Sequence, residues 1–221
     1  MGGDAILEAA TWILPLVFAI VLHEISHGWV AAAFGDPTAR RKGRLSLNPL
    51  RHVDPIGTVG LPLVLALAGA PIFGWAKPVP VVARRMRHPR RDMVLVALAG
   101  PGMNLLLAIL SAVLLAAIGE PVEGQGFAAL FLRLNLLNFV AINIFLAVFN
   151  MLPLPPFDGG HVVEGLLPRR LAVHYAKLHR FALPLFIVLL LVLPALSPNF
   201  DVVGRLVRPP VDWLTGALLG G

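Results

Sequence analysis

Cysteine is absent from the 221 residues. Disulfide bridges and thiolate metal sites are therefore excluded, and redox chemistry gives no reading of compartment. Charge is also scarce: 14% of residues are Asp, Glu, Lys or Arg, against 57% that are hydrophobic. A soluble domain of this length needs far more polar surface to cover itself. The first ten residues hold Asp4 and Glu8 but no Lys or Arg. That is the wrong charge for the start of a cleavable signal peptide, so the first apolar segment reads as a permanent span. Internal repeats and low-complexity linkers are lacking too, and no appended soluble domain is expected.

What the sequence has is long apolar runs: Ile6 to Phe34, Met93 to Ile118, Phe127 to Leu152 and Leu171 to Leu196. Each approaches or exceeds the ~20 residues that cross a hydrocarbon core of ~30 Å. The net charge of +6 comes from bases beside these runs, without interleaved aromatics. That pattern suits an anionic membrane surface and argues against nucleic acid. Eleven of the 18 Lys and Arg residues lie between Phe34 and Asp92 and four between Leu152 and Phe181, while the connection 119–126 carries Glu120 and Glu123 and no base. The positive-inside rule therefore puts 35–91 and 153–180 in the cytoplasm, with the N-terminus and 119–126 outside.

Ile56 to Ala70 is apolar but short, and is broken by Gly57, Gly60, Pro62 and Gly69. If it crossed, two strongly basic loops would fall on opposite faces. A re-entrant hairpin, or a helix buried against the bundle, fits both length and charge. Around it, Arg41 to Asn48 and Ala76 to Val82 have short alternating or β-branched stretches between Gly and Pro, and are expected to pair as a small membrane-adjacent β-sheet. Pro184 and Pro194 are expected to kink or end the last long run. Residues 199–221, interrupted by Pro209 and Pro210, are expected at the interface. The fold class is thus an all-α polytopic membrane protein: about four to six transmembrane helices, one re-entrant or hairpin segment and a small sheet. A single domain covers 1–221, with a catalytic core over about 8–165 and C-terminal helices over 171–221.

Within the first run stands His23-Glu24-Ile25-Ser26-His27. His23 and His27 are one helical turn apart and project from the same face. Glu24 lies about 100° around the helix, able to reach a metal-held water without being a ligand. Hydrolysis needs this spacing, with two neutral nitrogens to hold zinc and a carboxylate to take a proton from water. Ionisable groups inside an apolar span are costly unless they function; the bland alternative is a polar cluster that glues helices. His23 lies 17 residues beyond Ile6, or ~25 Å along the helix, which places it within the membrane near the cytoplasmic face.

A catalytic zinc takes a third protein ligand and keeps one position open. Asp158 follows the third long run, in Asn150-Met151-Leu152-Pro153-Leu154-Pro155-Pro156-Phe157-Asp158-Gly159-Gly160. Irregular backbone at membrane depth survives when packed in protein or lining a watered cavity. Asp158 shares a membrane face with the His pair only if 56–70 does not cross, so the ligand requirement and the charge rule select one topology.

These motifs resemble the site-2 proteases, a family of intramembrane zinc metalloproteases. The family's HExxH corresponds to His23 through His27, and its Asn-x-x-Pro…Asp-Gly element to Asn150, Pro153, Asp158 and Gly159. Ala99-Gly100-Pro101-Gly102-Met103-Asn104 looks like the family's core helix between them. The resemblance covers roughly residues 8–165. It implies His23, His27 and Asp158 as ligands of one zinc ion per chain, Glu24 as general base and acid, and Asn150 as a stabiliser of the tetrahedral oxyanion. It also implies a transmembrane protein substrate within a lipid bilayer and a prokaryotic inner-membrane location, with the active site nearer the cytoplasm. The chain lacks the PDZ insertion and the cystathionine-synthase-type domain of many members, so it looks like a minimal one.

The competing class is a metal-binding membrane transporter that uses the same His, Glu and Asp. Among other residues, Asn104 is read either as a substrate-backbone contact or as an interhelical hydrogen bond. His161 and Glu164 either reach the site or cap the next helix or face water, and His52 reaches it if its loop folds inward. His88, His174 and His179 are expected at headgroups, and Trp29, Trp75 and Trp213 as interfacial anchors.

Overall fold

The computed structural model describes residues 2–60, 63–64, 67, 75–119, 126–197 and 201–220. Three long helices form the framework: α1 (Gly2–Ala33), α3 (Pro89–Ile118) and α4 (Phe127–Asn150), with the short α2 (Thr38–Arg41) between the first two. Four helical stretches are long and apolar enough to cross a membrane: Leu7–Ala33, Pro89–Ile118, Phe127–Asn150 and Arg169–Leu196. Their outer faces carry exposed Trp12, Ile13, Phe18, Leu110, Val113 and Leu132. Unsatisfied backbone cannot face lipid, so runs of this composition become helices that close their own hydrogen bonds.

The core sits where α1, α3 and α4 meet. Ala108, Ala112, Leu115, Val140 and Ile144 form one buried cluster; small residues on α3 allow the close approach that substitutes for a hydrophobic drive between helices in lipid. Polar groups add directional ties, as where Asn138 Nδ2 donates to Thr11 O (2.8 Å), joining α4 to α1. At its C-terminal end α1 stops just before Gly35, whose φ of +108° is left-handed backbone that a side chain disfavours. Asp36 follows, fully buried. Its carboxylate accepts from Thr38 N (3.1 Å), the Thr38 hydroxyl and Val82 N (2.6 Å). Burial alone would raise its pKa, but these bonds and the nearby Arg85 charge lower it below the ordinary carboxylate value.

Three expectations need amendment or placing. No β-strand occurs among the described residues, so the small sheet is not there. The N–H groups that would build it are spent elsewhere. Lys42, Gly43 and Arg44 donate to the carbonyls of Thr38, Arg40 and Ala39 in a turn, and Val79 and Val82 donate to the carboxylates of Glu24 and Asp36. Side chain and loop replace the ladder, with Arg44 Nη2 on Lys77 O at 2.7 Å and Lys77 N on His52 O at 2.8 Å.

Of the Ile56 to Ala70 segment, Pro55–Gly60 is a short π-helical turn, whereas 61–62, 65–66 and 68–74 lie outside the described residues. Its two flanks meet: Trp75 N donates to Gly57 O (3.1 Å) and Thr58 Oγ1 to Trp75 O (2.9 Å). The chain therefore returns to the point from which it departed.

After Asn150 the chain turns through Met151–Phe157 into α5 (Asp158–Leu166), then α6 (Arg169–Ala176), a 3-10 turn (Lys177–Phe181), α7 (Ala182–Ile187), a π-helical turn (Val188–Val192) and α8 (Leu193–Leu196). Pro184 and Pro194 fall inside α7 and α8, in a run whose helical backbone changes type from 3-10 to α to π and back to α without leaving the helical region. The last helix, α9 (Val202–Leu219), contains Pro209 and Pro210. It packs on the bundle. Its Val207 is buried with Leu152 and Phe157, Val211 touches both core clusters, and Leu214 and Leu218 pack on the α3–α4 cluster.

Candidate active site

His23 and His27 stand on α1, both buried, with their rings edge-to-face at 4.7 Å between centroids. Asp158, the first residue of α5, meets them across the fold, more than 130 positions away in the chain. Its Oδ2 lies 3.2 Å from His23 Nε2 and 3.4 Å from His27 Nε2, and the two Nε2 atoms are 3.1 Å apart. Asp158 is held there by a close-packed loop. A Cβ on Gly159 would overlap the carbonyl oxygens of Met151 and Leu152, and one on Gly160 would fall 3.0 Å from Leu154 C. Phe157 is buried beside Phe149 (4.7 Å) and Phe186 (5.8 Å), which anchors the residue just before the carboxylate.

Gly100 of α3 makes room for the cluster. A Cβ there would fall 2.5 Å from His23 Cε1 and from His27 Nε2. Around that gap the other ring nitrogens find partners: His27 Nδ1 meets Val96 O (2.7 Å) and His23 Nδ1 meets Asn104 Oδ1 (2.5 Å). Asn104 Nδ2 donates to Asn143 Oδ1 (2.8 Å), and Asn143 Nδ2 to Phe139 O (2.8 Å). Both asparagines are fully buried.

This chain of bonds has one consistent direction. A main-chain carbonyl only accepts, so Asn143 must turn its NH2 to Phe139 and its oxygen to Asn104. Asn104 must then turn its oxygen to His23, whose Nδ1 carries the proton. His27 Nδ1 likewise carries a proton, because Val96 O accepts. In the neutral rings both Nε2 lone pairs therefore face the Asp158 oxygen, which is buried and has no hydrogen-bond partner. Three electron-pair donors converging without a proton repel one another, and a cation reconciles them. Bonds of ~2.1 Å at tetrahedral angles set ligand atoms ~3.4 Å apart, close to the 3.1–3.4 Å edges of this triangle. The residues present fit a zinc ion that keeps a fourth position open.

Glu24 lies beside the cluster, half-buried, with Oε2 accepting from Val79 N at 2.7 Å. Val79 stands between Pro78 and Pro80, which have no N–H, so it offers the lone amide donor of the Pro78–Pro80 stretch. It also presses on Gly28, one residue past the His pair, where a Cβ would lie 2.9 Å from Val79 Cγ1.

The remaining expected residues divide. Asn104 makes the interhelical hydrogen bond, and its partner is His23. Asn150 closes α4 with Nδ2 donating to Leu146 O (3.0 Å), leaving one amide hydrogen for another partner. His52 is buried but turned into its own loop, with Nε2 donating to Ser46 O (2.9 Å). His161 and Glu164 group with His179 instead of with the His pair, and His179 lies 3.0 Å from Glu164. Sequence reasoning gave no role to Val79, Val96 or Asn143. Only the Pro-Val-Pro run and an asparagine in an apolar helix hinted at two of them.

Residues 127–193 match the model of Peptidase family M50. Over 180 residues the chain is 37% identical to "Putative zinc metalloprotease YwhC" of Bacillus subtilis (strain 168), covering 80% of this chain and 78% of that one. "Putative zinc metalloprotease Rip2" of Mycolicibacterium smegmatis is 34% identical over 201 residues, covering 90% and 71%. Its namesake in Mycobacterium tuberculosis (strain H37Rv) is 33% identical over 200 residues, covering 90% and 71%. No solved structure matches the chain. Apolar helices of spanning length and a His–His–Asp triangle define a membrane zinc metalloprotease. The chain belongs to peptidase family M50, and the transporter reading loses its ground.

Proposed function

We propose that this protein hydrolyses peptide bonds within or near transmembrane segments of other membrane proteins. The single domain holds one zinc through His23, His27 and Asp158. The observation that carries the reading is the triangle of bare donor atoms set among apolar helices. When bound, zinc supplies Lewis-acid polarisation of an amide carbonyl and makes a water molecule more acidic.

The chain's own residues do the rest. Asn104 and Val96 O fix the ring orientations, so that both Nε2 atoms stay available. The Val79 amide pins Glu24 Oε2. The other oxygen of Glu24 takes a proton as the water oxygen attacks the carbonyl carbon. Glu24 then returns that proton to the amide nitrogen as the C–N bond breaks. Asn150, with an amide hydrogen to spare, is positioned in sequence to steady the oxyanion. A substrate helix must unwind locally, since its carbonyl is otherwise bonded, and helix-breaking residues lower that cost.

The basic loops support a cytoplasm-facing site in a prokaryotic inner membrane. Glu24→Gln tests the chemistry. Purified in detergent, it is expected to keep one zinc and lose cleavage of a membrane-protein substrate. Undiminished cleavage by the zinc-loaded variant would overturn the reading.

A further inference from the structure

A second group of metal-ligating side chains lies outside the triangle. His161 and Glu164 sit on α5, one and two turns past Asp158, and His179 stands on the turn Lys177–Phe181. Their donor atoms all lie within 4.8 Å of one another. We propose that His161, Glu164 and His179 form a second divalent-cation site, weaker than the first, which ties α5 to the 177–181 turn. It goes beyond the catalytic assignment and does not rest on it.

The distances give the carboxylate one hydrogen bond and leave the second imidazole outside it. Glu164 Oε2 lies 3.0 Å from His179 Nε2, a hydrogen bond, but 4.0 Å from His161 Nδ1, too long for one. One carboxylate oxygen thus faces two imidazole nitrogens and satisfies a single one. Ligand atoms ~3.4 Å apart surround a tetrahedral ion, so the group needs to draw in by about an ångström. The three side chains are 36%, 35% and 29% exposed, free enough at their tips to rotate that far.

The two rings are stacked, 4.8 Å between centroids and 24° between planes, which two imidazolium cations would resist. Two neutral imidazoles and one carboxylate select zinc, cobalt or nickel over magnesium and calcium. Water completes the shell on the exposed side.

α5 begins with Asp158, so an ion here braces the element that presents this carboxylate. Equilibrium dialysis of the full chain in detergent against Zn2+ and, separately, Co2+ tests the site. Two equivalents are expected, one tight and one weak, with excess Mg2+ displacing neither. H179A and E164Q should each remove the weak equivalent and keep the tight one, which also reports that the fold is intact. H174A, at a nearby histidine outside the cluster, should keep both. A single equivalent in the parent protein, or a weak equivalent that survives both H179A and E164Q, overturns the proposal. H23A separates the two readings. If it removes the tight equivalent, the catalytic assignment stands; if the tight equivalent persists there, that assignment falls while the second site stands or falls on H179A and E164Q.

Discussion

Two His–His–carboxylate groups lie within two helical turns of each other along α5, and they differ in everything except composition. The one at Asp158 is nearly sealed: His23 and His27 are buried, and each has its second nitrogen bonded to a partner that itself has no freedom. The one at Glu164 is half-exposed, with side chains spaced for a hydrogen bond as much as for an ion. Ligand type alone therefore does not grade a metal site. Affinity and geometry come from the outer partners that fix ring tautomer and direction before any ion arrives.

That contrast breaks most severely at the sealed site. His23→Ala or Asp158→Ala should remove the tight zinc equivalent and all measurable cleavage, read by metal analysis and a gel assay on a membrane substrate. Glu24→Gln should cost on the order of 10²–10⁴-fold in turnover with zinc retained. Cutting the outer partner sharpens the contrast without touching a ligand. Asn104→Ala should weaken zinc binding by roughly 10–100-fold, and Asn143→Ala by less, because it acts through Asn104. A competition titration with a chelator measures both.

A smaller effect is expected at Asp36, a buried acceptor with no part in either group. Asp36→Asn turns an NH2 toward donors that face a carboxylate oxygen now, leaving one of them unpaired, and should cost about 1–3 kcal/mol of stability. Its pKa is lowered in the folded state, so its contribution is complete above the unfolded value of ~3.9 and is lost as pH falls through the folded value. In thermal melts the stability difference between the two proteins should shrink as the pH falls below the unfolded value. The smallest expected effect is at the exposed group, where His179→Ala should leave cleavage within about twofold at zinc levels that fill only the tight site.

Much of this was legible in the sequence because membranes simplify the physics. Long apolar runs with few charges become helices, and the three that hold the site start and end within a few residues of where composition places them. The His pair was legible because 3.6-residue periodicity is local, and Asp158 because few other carboxylates share the right face.

The sheet was misread for a reason that also hid Val79. Alternation and β-branching show that a stretch is extended, but not where its amides go, and here they go to Glu24 and Asp36. The amide relay from Asn143 was invisible because its order depends on how three helices are rotated against each other. The packed face of the last helix, with Val207 and Val211, was not legible either, because its prolines say nothing of which side meets the bundle.

The paired ends of the Gly57–Trp75 excursion make it an even-parity element. With Gly57 and Thr58 hydrogen-bonded to Trp75, the excursion starts and finishes at one level. Lengthening, shortening or exchanging that stretch therefore leaves every later residue on its own side of the membrane, and Asp158 stays within reach of the His pair. Variation at this position is topologically silent.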